Sequence, residues 1–166
     1  MKYTLEIQKR LLQVENGNLS PHEKALLLKE AIRIADENDD SQWAVEMRLD
    51  LIYELNLLSQ AEEEIAVFSR ILDDYENNKD LISENDILWK YKWICGAAFD
   101  VPEVSQSQID AILEDFKIRT LRNGYSARAY YHLLFLHYNR MRQYDLAKEY
   151  ADKMLSEKLD DMMCEA

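Results

Sequence analysis

From Ala127 to Leu155 the chain reads ARAYYHLLFLHYNRMRQYDLAKEYADKML, two runs of apolar residues at helical spacing separated only by Met141-Arg142-Gln143. Apolar side chains recurring at i, i+3, i+4 and i+7 turn one face of a helix toward a neighbour. A three-residue connection can only reverse the chain, so the two helices must lie antiparallel and side by side. Tyr144-Asp145-Leu146-Ala147 opens the second helix, with the small Ala147 where the two helices touch. The stretch predicts a helical hairpin, the unit that helical repeats stack.

The rest of the chain follows the same periodicity. Three Gly and two Pro in 166 residues leave little material for β-hairpin turns. An apolar share of 48% beside 31% charged residues suits packed amphipathic helices. Eight helical segments are predicted. The first, about Tyr3 to Val14, ends at Asn16-Gly17-Asn18, and the second opens with Ser20-Pro21, an N-cap followed by proline at the first helical position. The third follows Asp40-Ser41, and the fourth, about Ala61 to Tyr75, carries Glu62-Glu63-Glu64 in its first turn, where negative charge complements the helix dipole. The fifth, about Ile87 to Phe99, is the most apolar, and the sixth starts from Ser105 or Ser107 and stops at Gly124. Odd-numbered helices then begin near 3, 41, 85 and 126, which makes four helix pairs of about 40 residues, the period of a helical solenoid. The chain is read as one domain, 1–166, with a hinge at 76–86, its longest polar connection.

Net charge is −12, unevenly spread: residues 1–83 hold 9 basic and 18 acidic side chains, residues 84–166 hold 11 and 14. An acidic body repels a phosphate backbone, which argues against nucleic acid. One zone departs from this. Between Phe116 and Gln143 there are six basic residues (Lys117, Arg119, Arg122, Arg128, Arg140, Arg142) and no acid. They either pair with acids on neighbouring helices or face an acidic partner. No window approaches 18 consecutive apolar residues, and the start lacks the apolar core of a signal peptide. With only Cys95 and Cys164, far apart and outside any metal-binding spacing, a reduced cytoplasmic location is expected.

The stretch Arg128 to Leu159 resembles a tetratricopeptide repeat. Tyr131 stands at that family's large aromatic, Leu134 at its leucine and Tyr138 at its tyrosine. Tyr144 takes the aromatic before the second helix, Ala147 the alanine and Met154 the later small position. Three positions depart: Phe135 replaces a glycine-like residue, Ala151 an aromatic and Leu159 the closing proline. The resemblance covers one repeat in four, about a fifth of the chain. It implies an all-α, right-handed α-solenoid of about four antiparallel helical hairpins, with odd helices lining a concave peptide-binding groove. The family's carboxylate clamp needs Lys, Arg and Asn where this chain has His132, Leu133 and Leu136, so the clamp is not carried over. Leu88–Trp93 with Phe99–Gln106 also resembles a group of bacterial tetratricopeptide-like proteins without assigned activity.

Catalytic and metal signatures do not emerge. The glycines at 17, 96 and 124 build no phosphate loop, and no GxSxG is present. His132 and His137 are five apart, which turns them away from each other on a helix. No enzyme activity, cofactor or metal is expected. The expected function is a protein–protein interaction scaffold; a sensor domain binding a short peptide or small ligand is the alternative. Large aromatics and arginine anchor such interfaces. The partner site is therefore placed on Trp89, Trp93, Arg128, His132, Leu136, Asn139 and Arg140, facing an acidic, apolar protein segment. The apolar residues of the last helix and of Ser156–Ala166 look like the start of a fifth hairpin. They imply a longer protein, further repeats or a second copy.

Overall fold

The computed structural model describes residues 2–163, so Cys164 and the chain end lie outside the described residues. Within them there are eight α-helices and no strand: α1 Lys2–Asn16, α2 Pro21–Glu37, α3 Ser41–Leu57, α4 Ala61–Asn77, α5 Glu84–Ala98, α6 Gln106–Arg122, α7 Arg128–Arg140 and α8 Tyr144–Ser156, then a 3-10 turn, Asp161–Met163. The all-α class and the order of eight helices match the sequence expectation. The chain forms two compact units, Met1–Ser83 and Glu84–Ala166. Their boundary falls within 76–86, a connection that shortens to residues 78–83 because α4 runs on to Asn77 and α5 starts at Glu84.

Helix starts are built by short polar side chains. Ser20 caps α2 through a reciprocal pair, Glu23 N–H to Ser20 Oγ and Ser20 N–H to Glu23 Oε2, with Pro21 next in line. Ser105 and Gln108 make the same box at α6. Asp40 caps α3 by accepting from Trp43 N–H, and its other oxygen accepts from Tyr3 Oη at 3.1 Å, which ties α1 to the start of α3.

Three interhelix turns share one geometry. Asp39, Ser59 and Arg142 have φ of 55°, 54° and 57°, each one residue after the helix cap. The next N–H reaches back five residues, Asp40 to Ala35, Gln60 to Leu55 and Gln143 to Tyr138. This closure satisfies the last carbonyls of a helix and starts the next one at once. Gly124 does the same work after α6 with φ 82°, the residue type such a bond prefers.

Unit 1 packs helix on successive helix, α1 on α2, α2 on α3 and α3 on α4. Its core joins Ile7 to Leu28, Ala31 and Ala35 of α2 and to Met47, Leu51 and Leu55 of α3. Arg48 is buried among these helices and holds three of them: it donates to both oxygens of Asp36 on α2, at 2.7 and 2.9 Å, and to Asp74 on α4 at 3.1 Å.

Unit 2 packs differently. Here α7 lies against α5 as well as α6, and α8 covers α7. Ala147 is the one buried residue of α8 named among the core, at 3% exposure, as the small contact residue should be. The register around it departs from the sequence expectation. By periodicity Tyr144, Ala147, Ala151, Met154 and Leu155 should face α7, with Tyr150 and Leu146 on another side, yet Tyr144 and Leu155 are 62% and 66% exposed. Tyr150, expected on another side, stacks against Tyr138 at 5.4 Å and Tyr131 at 6.2 Å. The aromatic ladder fixes how α8 is rotated, because three flat rings gain more by stacking than Leu155 gains by burial.

Replacing Ala147 by Trp should destabilise the protein by roughly 1–3 kcal/mol through overpacking, measured by urea unfolding. Arg142→Gly should instead raise the urea midpoint by about 0.5–1 kcal/mol of stability, since glycine relieves the left-handed strain at some entropic cost. An unchanged midpoint in the first variant would contradict the α7–α8 packing.

Candidate functional site

The candidate site lies within unit 2, on α5 and α7. Tyr125, just before α7, hydrogen-bonds Asn85 at the start of α5. At the other end, Arg140 of α7 pairs with Asp100 beyond the end of α5 at 2.7 Å. The two helices therefore run parallel, as alternate helices of a hairpin repeat do.

Burial divides each helix into two sides. In α5, Ile87, Leu88, Tyr91, Ile94, Cys95 and Ala98 are buried, which leaves Trp89, Lys92, Trp93 and Gly96 half-buried along one stripe at i, i+3, i+4 and i+7. In α7, Ala129, Leu133, Leu134 and His137 are buried. Arg128, His132, Leu136 and Arg140 form the other stripe at four-residue steps, with Leu136 at 37% exposure and Asn139 exposed beside it. Of the seven residues predicted from sequence, Trp89, Trp93, Arg128, His132, Leu136 and Arg140 fall on these two stripes and Asn139 lies beside them.

Lys92 links the stripes. Its ammonium sits 4.1 Å from the centre of the Trp89 ring and lies close enough to His132 to lower that imidazole's pKa. Lys90 covers Trp93 in the same way at 4.5 Å. These contacts hold both indoles partly sheltered, each with a cation over its face. Gly96 follows them. A Cβ built there would meet no heavy atom within 4 Å, so the backbone of α5 is open at that point. Cys95 next to it is fully buried, and burial pushes its thiol pKa up, the profile of an inert core residue.

The basic zone is spent largely on internal pairing. Arg119 and Arg122 both reach Glu84 at the start of α5, and Arg119 also pairs with Asp115 at 2.9 Å. Burial would raise the Glu84 carboxyl, yet the hydrogen bonds and charges of the two arginines, with Asn123, hold it below its ordinary value. Lys117 pairs with Glu114 and Arg140 with Asp100. Arg128 turns onto the chain itself and donates from Nη1 to the Glu157 carbonyl at 2.9 Å.

The segment after α8 was the feature least visible in the sequence. It does not start a further α-helix within the described residues; it folds back over the N-terminal end of α7. Ser126 N–H donates to Asp160 Oδ2 at 2.6 Å, Ser126 Oγ to the Lys158 carbonyl at 2.8 Å, and Lys92 Nζ to the Met162 carbonyl at 2.7 Å. Met162 is completely buried. Sequence reasoning also passed over Lys92 and Gly96. A glycine in the last turn of the most apolar helix was the signal available for the second.

His132 and His137 point to different surroundings. His137 is buried against Phe99, ring centres 4.7 Å apart, with Nε2 3.2 Å from Gln106. Among the described residues no group of three or more His, Cys, Asp or Glu side chains could hold a metal ion, and no helix is long and apolar enough to cross a membrane. Comparison of the chain with protein-family models, curated proteins and solved structures finds no match in any of the three.

Both imidazoles titrate below their ordinary value. Burial lowers His132, helped by Lys92; burial also lowers His137, opposed by Asp110 and helped by Arg140. The unfolded chain therefore takes up protons near pH ~6.5 while the folded chain still holds both rings neutral. Stability should fall as pH drops through that region, and this loss ends once the folded rings protonate. Urea midpoints followed from about pH 7.5 to 5.5 should decline less for the double variant His132→Gln, His137→Gln than for the parent protein.

Proposed function

We propose that the protein is a non-catalytic, cytoplasmic, tetratricopeptide-like interaction module, and that a partner protein docks on the stripe of α5 and α7 around Trp93, Gly96, Leu136 and Arg140. The observation that carries this reading is Gly96. Gly96 stands in the last turn of α5, where glycine still gives up backbone entropy relative to alanine, and packing or the helix end normally explains it. At Gly96 no neighbour approaches where a Cβ would stand, and the position is not among the positive-φ residues, so neither crowding nor backbone conformation demands glycine. Close approach of something outside the chain does. Beside it stand a half-buried indole, an exposed leucine and an exposed arginine, the residue types that anchor protein interfaces. The exposed Tyr144, Leu146 and Leu155 of α8 offer a second apolar surface, suited to a further repeat or a second copy.

Two substitutions at one position separate stability from binding. Gly96→Ala should raise stability by about 0.5–1 kcal/mol in urea unfolding. Gly96→Phe should leave the helical circular dichroism intact and abolish capture of proteins that the parent chain retains from lysate of its own host. Partners held equally by the parent and by Gly96→Phe would place the interaction elsewhere. Stabilisation by a small-molecule fraction with no protein captured would favour the sensor alternative.

A further inference from the structure

The N-terminal half of the α5/α7 face is already covered, and what covers it is read as a peptide would be. Glu157 leaves α8 in an extended conformation, ψ 152°, and the chain then crosses Ser126, Arg128 and Lys92. Each of the four hydrogen bonds across this contact has its donor on the face and its acceptor on the segment. Three acceptors are main-chain carbonyls, of Glu157, Lys158 and Met162, which any extended peptide carries. The fourth is the Asp160 carboxylate, held by the Ser126 N–H just before α7. Met162 supplies the one fully buried side chain, while Leu159 and Asp161 stay exposed and add nothing to recognition. The pattern that the face reads is thus a carboxylate and, two residues on, a methionine, where the chain enters the 3-10 turn and Asp160 Oδ1 accepts from the Met162 N–H at 3.2 Å.

One donor of the face is left over. Arg128 Nε is buried without a hydrogen-bond partner, a cost that the present occupant does not relieve. An occupant with one more acceptor at that point would fit better than the chain's own segment.

On the interaction reading given above, we infer that this face is a receptor for an acidic Asp-x-Met turn, that residues 157–162 occupy it in cis, and that a partner protein carrying the same pattern binds by displacing them. A tethered segment competes at an effective concentration on the order of millimolar, so the parent chain binds a free peptide of the same sequence weakly. Loosening the tethered copy removes that competition and raises the apparent affinity by the fraction of face set free.

The test uses the full chain and a fluorescein-labelled peptide with the sequence of residues 156–163, followed by anisotropy. The variant Asp160→Ala, Met162→Ala should bind this peptide about tenfold or more tightly than the parent chain. A control peptide with alanine at the same two positions should not bind either protein. A variant that keeps its helical circular dichroism yet binds the peptide no better than the parent overturns the inference. If the double variant loses helicity, Asp160→Ala alone is followed by hydrogen exchange. The Ser126 amide should exchange faster than in the parent, and saturating peptide should slow it again; peptide without effect overturns the inference. Gly96 lies one turn past Lys92, outside the covered half. Loss of partner capture in Gly96→Phe without peptide binding leaves the interaction reading standing and ends this one, and the reverse result does the opposite.

Discussion

The packing of α7 governs everything that unit 2 can do. It touches α5, α6, α8 and the 3-10 turn, and a helix about 10 Å across has little circumference left after four neighbours. Close approach on so many sides needs small residues at the contacts, and Ala129 of α7 and Ala147 of α8, both buried, provide them. What remains is a narrow strip that includes Arg128, His132, Leu136 and Arg140, with Asn139 exposed beside it. The parallel strip on α5 exists for a related reason, since past its polar first turn that helix is apolar on most of its surface and keeps Trp89, Lys90, Lys92, Trp93 and Gly96 away from the core. The candidate face is therefore the residue of the packing problem, and substitutions in it should act on binding more than on folding.

Local chemistry was legible in the sequence wherever one residue type has one structural use. Ser20-Pro21, Ser105 with Gln108, and Gly124 each mark a helix end by a mechanism that needs no tertiary information, and each stands where it was expected. The left-handed residues Asp39, Ser59 and Arg142 carry no such mark, because the strain at each is met by closure of the turn around it. The rotation of α8 was not legible either. Periodicity offers Tyr144, Ala147, Ala151 and Leu155 as one face and Tyr150 as another, and the choice turns on rings from two helices stacking. No helical pattern announces residues 157–162, whose partners are main-chain atoms and side chains over 60 residues earlier in the case of Lys92 and Met162. Lys92 and the returning segment, which lie among the candidate residues, were not foreseen.

Charge in this chain does more for geometry than for net attraction. The run from Phe116 to Gln143 lacks acids, yet its arginines reach acids on other helices: Glu84 at the head of α5 gathers two, and Asp100 past its end takes one. The exposed Arg140–Asp100 pair contributes little stability, typically under about 1 kcal/mol, and is screened by salt, whereas Arg119 and Glu84 are largely sheltered. The value of these pairs is registry, since one pair at each end of α5 limits how far α6 and α7 can slide along it. Arg48 plays the same part in unit 1 with better burial, holding α2 and α4 to α3 through two carboxylates. A face whose cations are already engaged attracts an acidic partner less by its overall field than by the few donors it can free.

The three glycines make the case for that face by contrast. At Gly17 a Cβ would stand 2.4 Å from the Gln13 carbonyl oxygen and 2.8 Å from Leu19, so the turn from α1 to α2 closes only without a side chain. Gly124 has φ 82°, where a side chain is strained whatever the space. Each is accounted for by the chain itself. Gly96 meets neither condition; it stands in the last turn of α5, where its extra backbone freedom still opposes folding. Its open backbone faces outward on the one stripe of α5 that the core does not use. A position that gives up stability with no gain inside the fold is what the proposed docking face would require, and the indole, leucine and guanidinium on the same stripes would set how apolar and how acidic an occupant it could take.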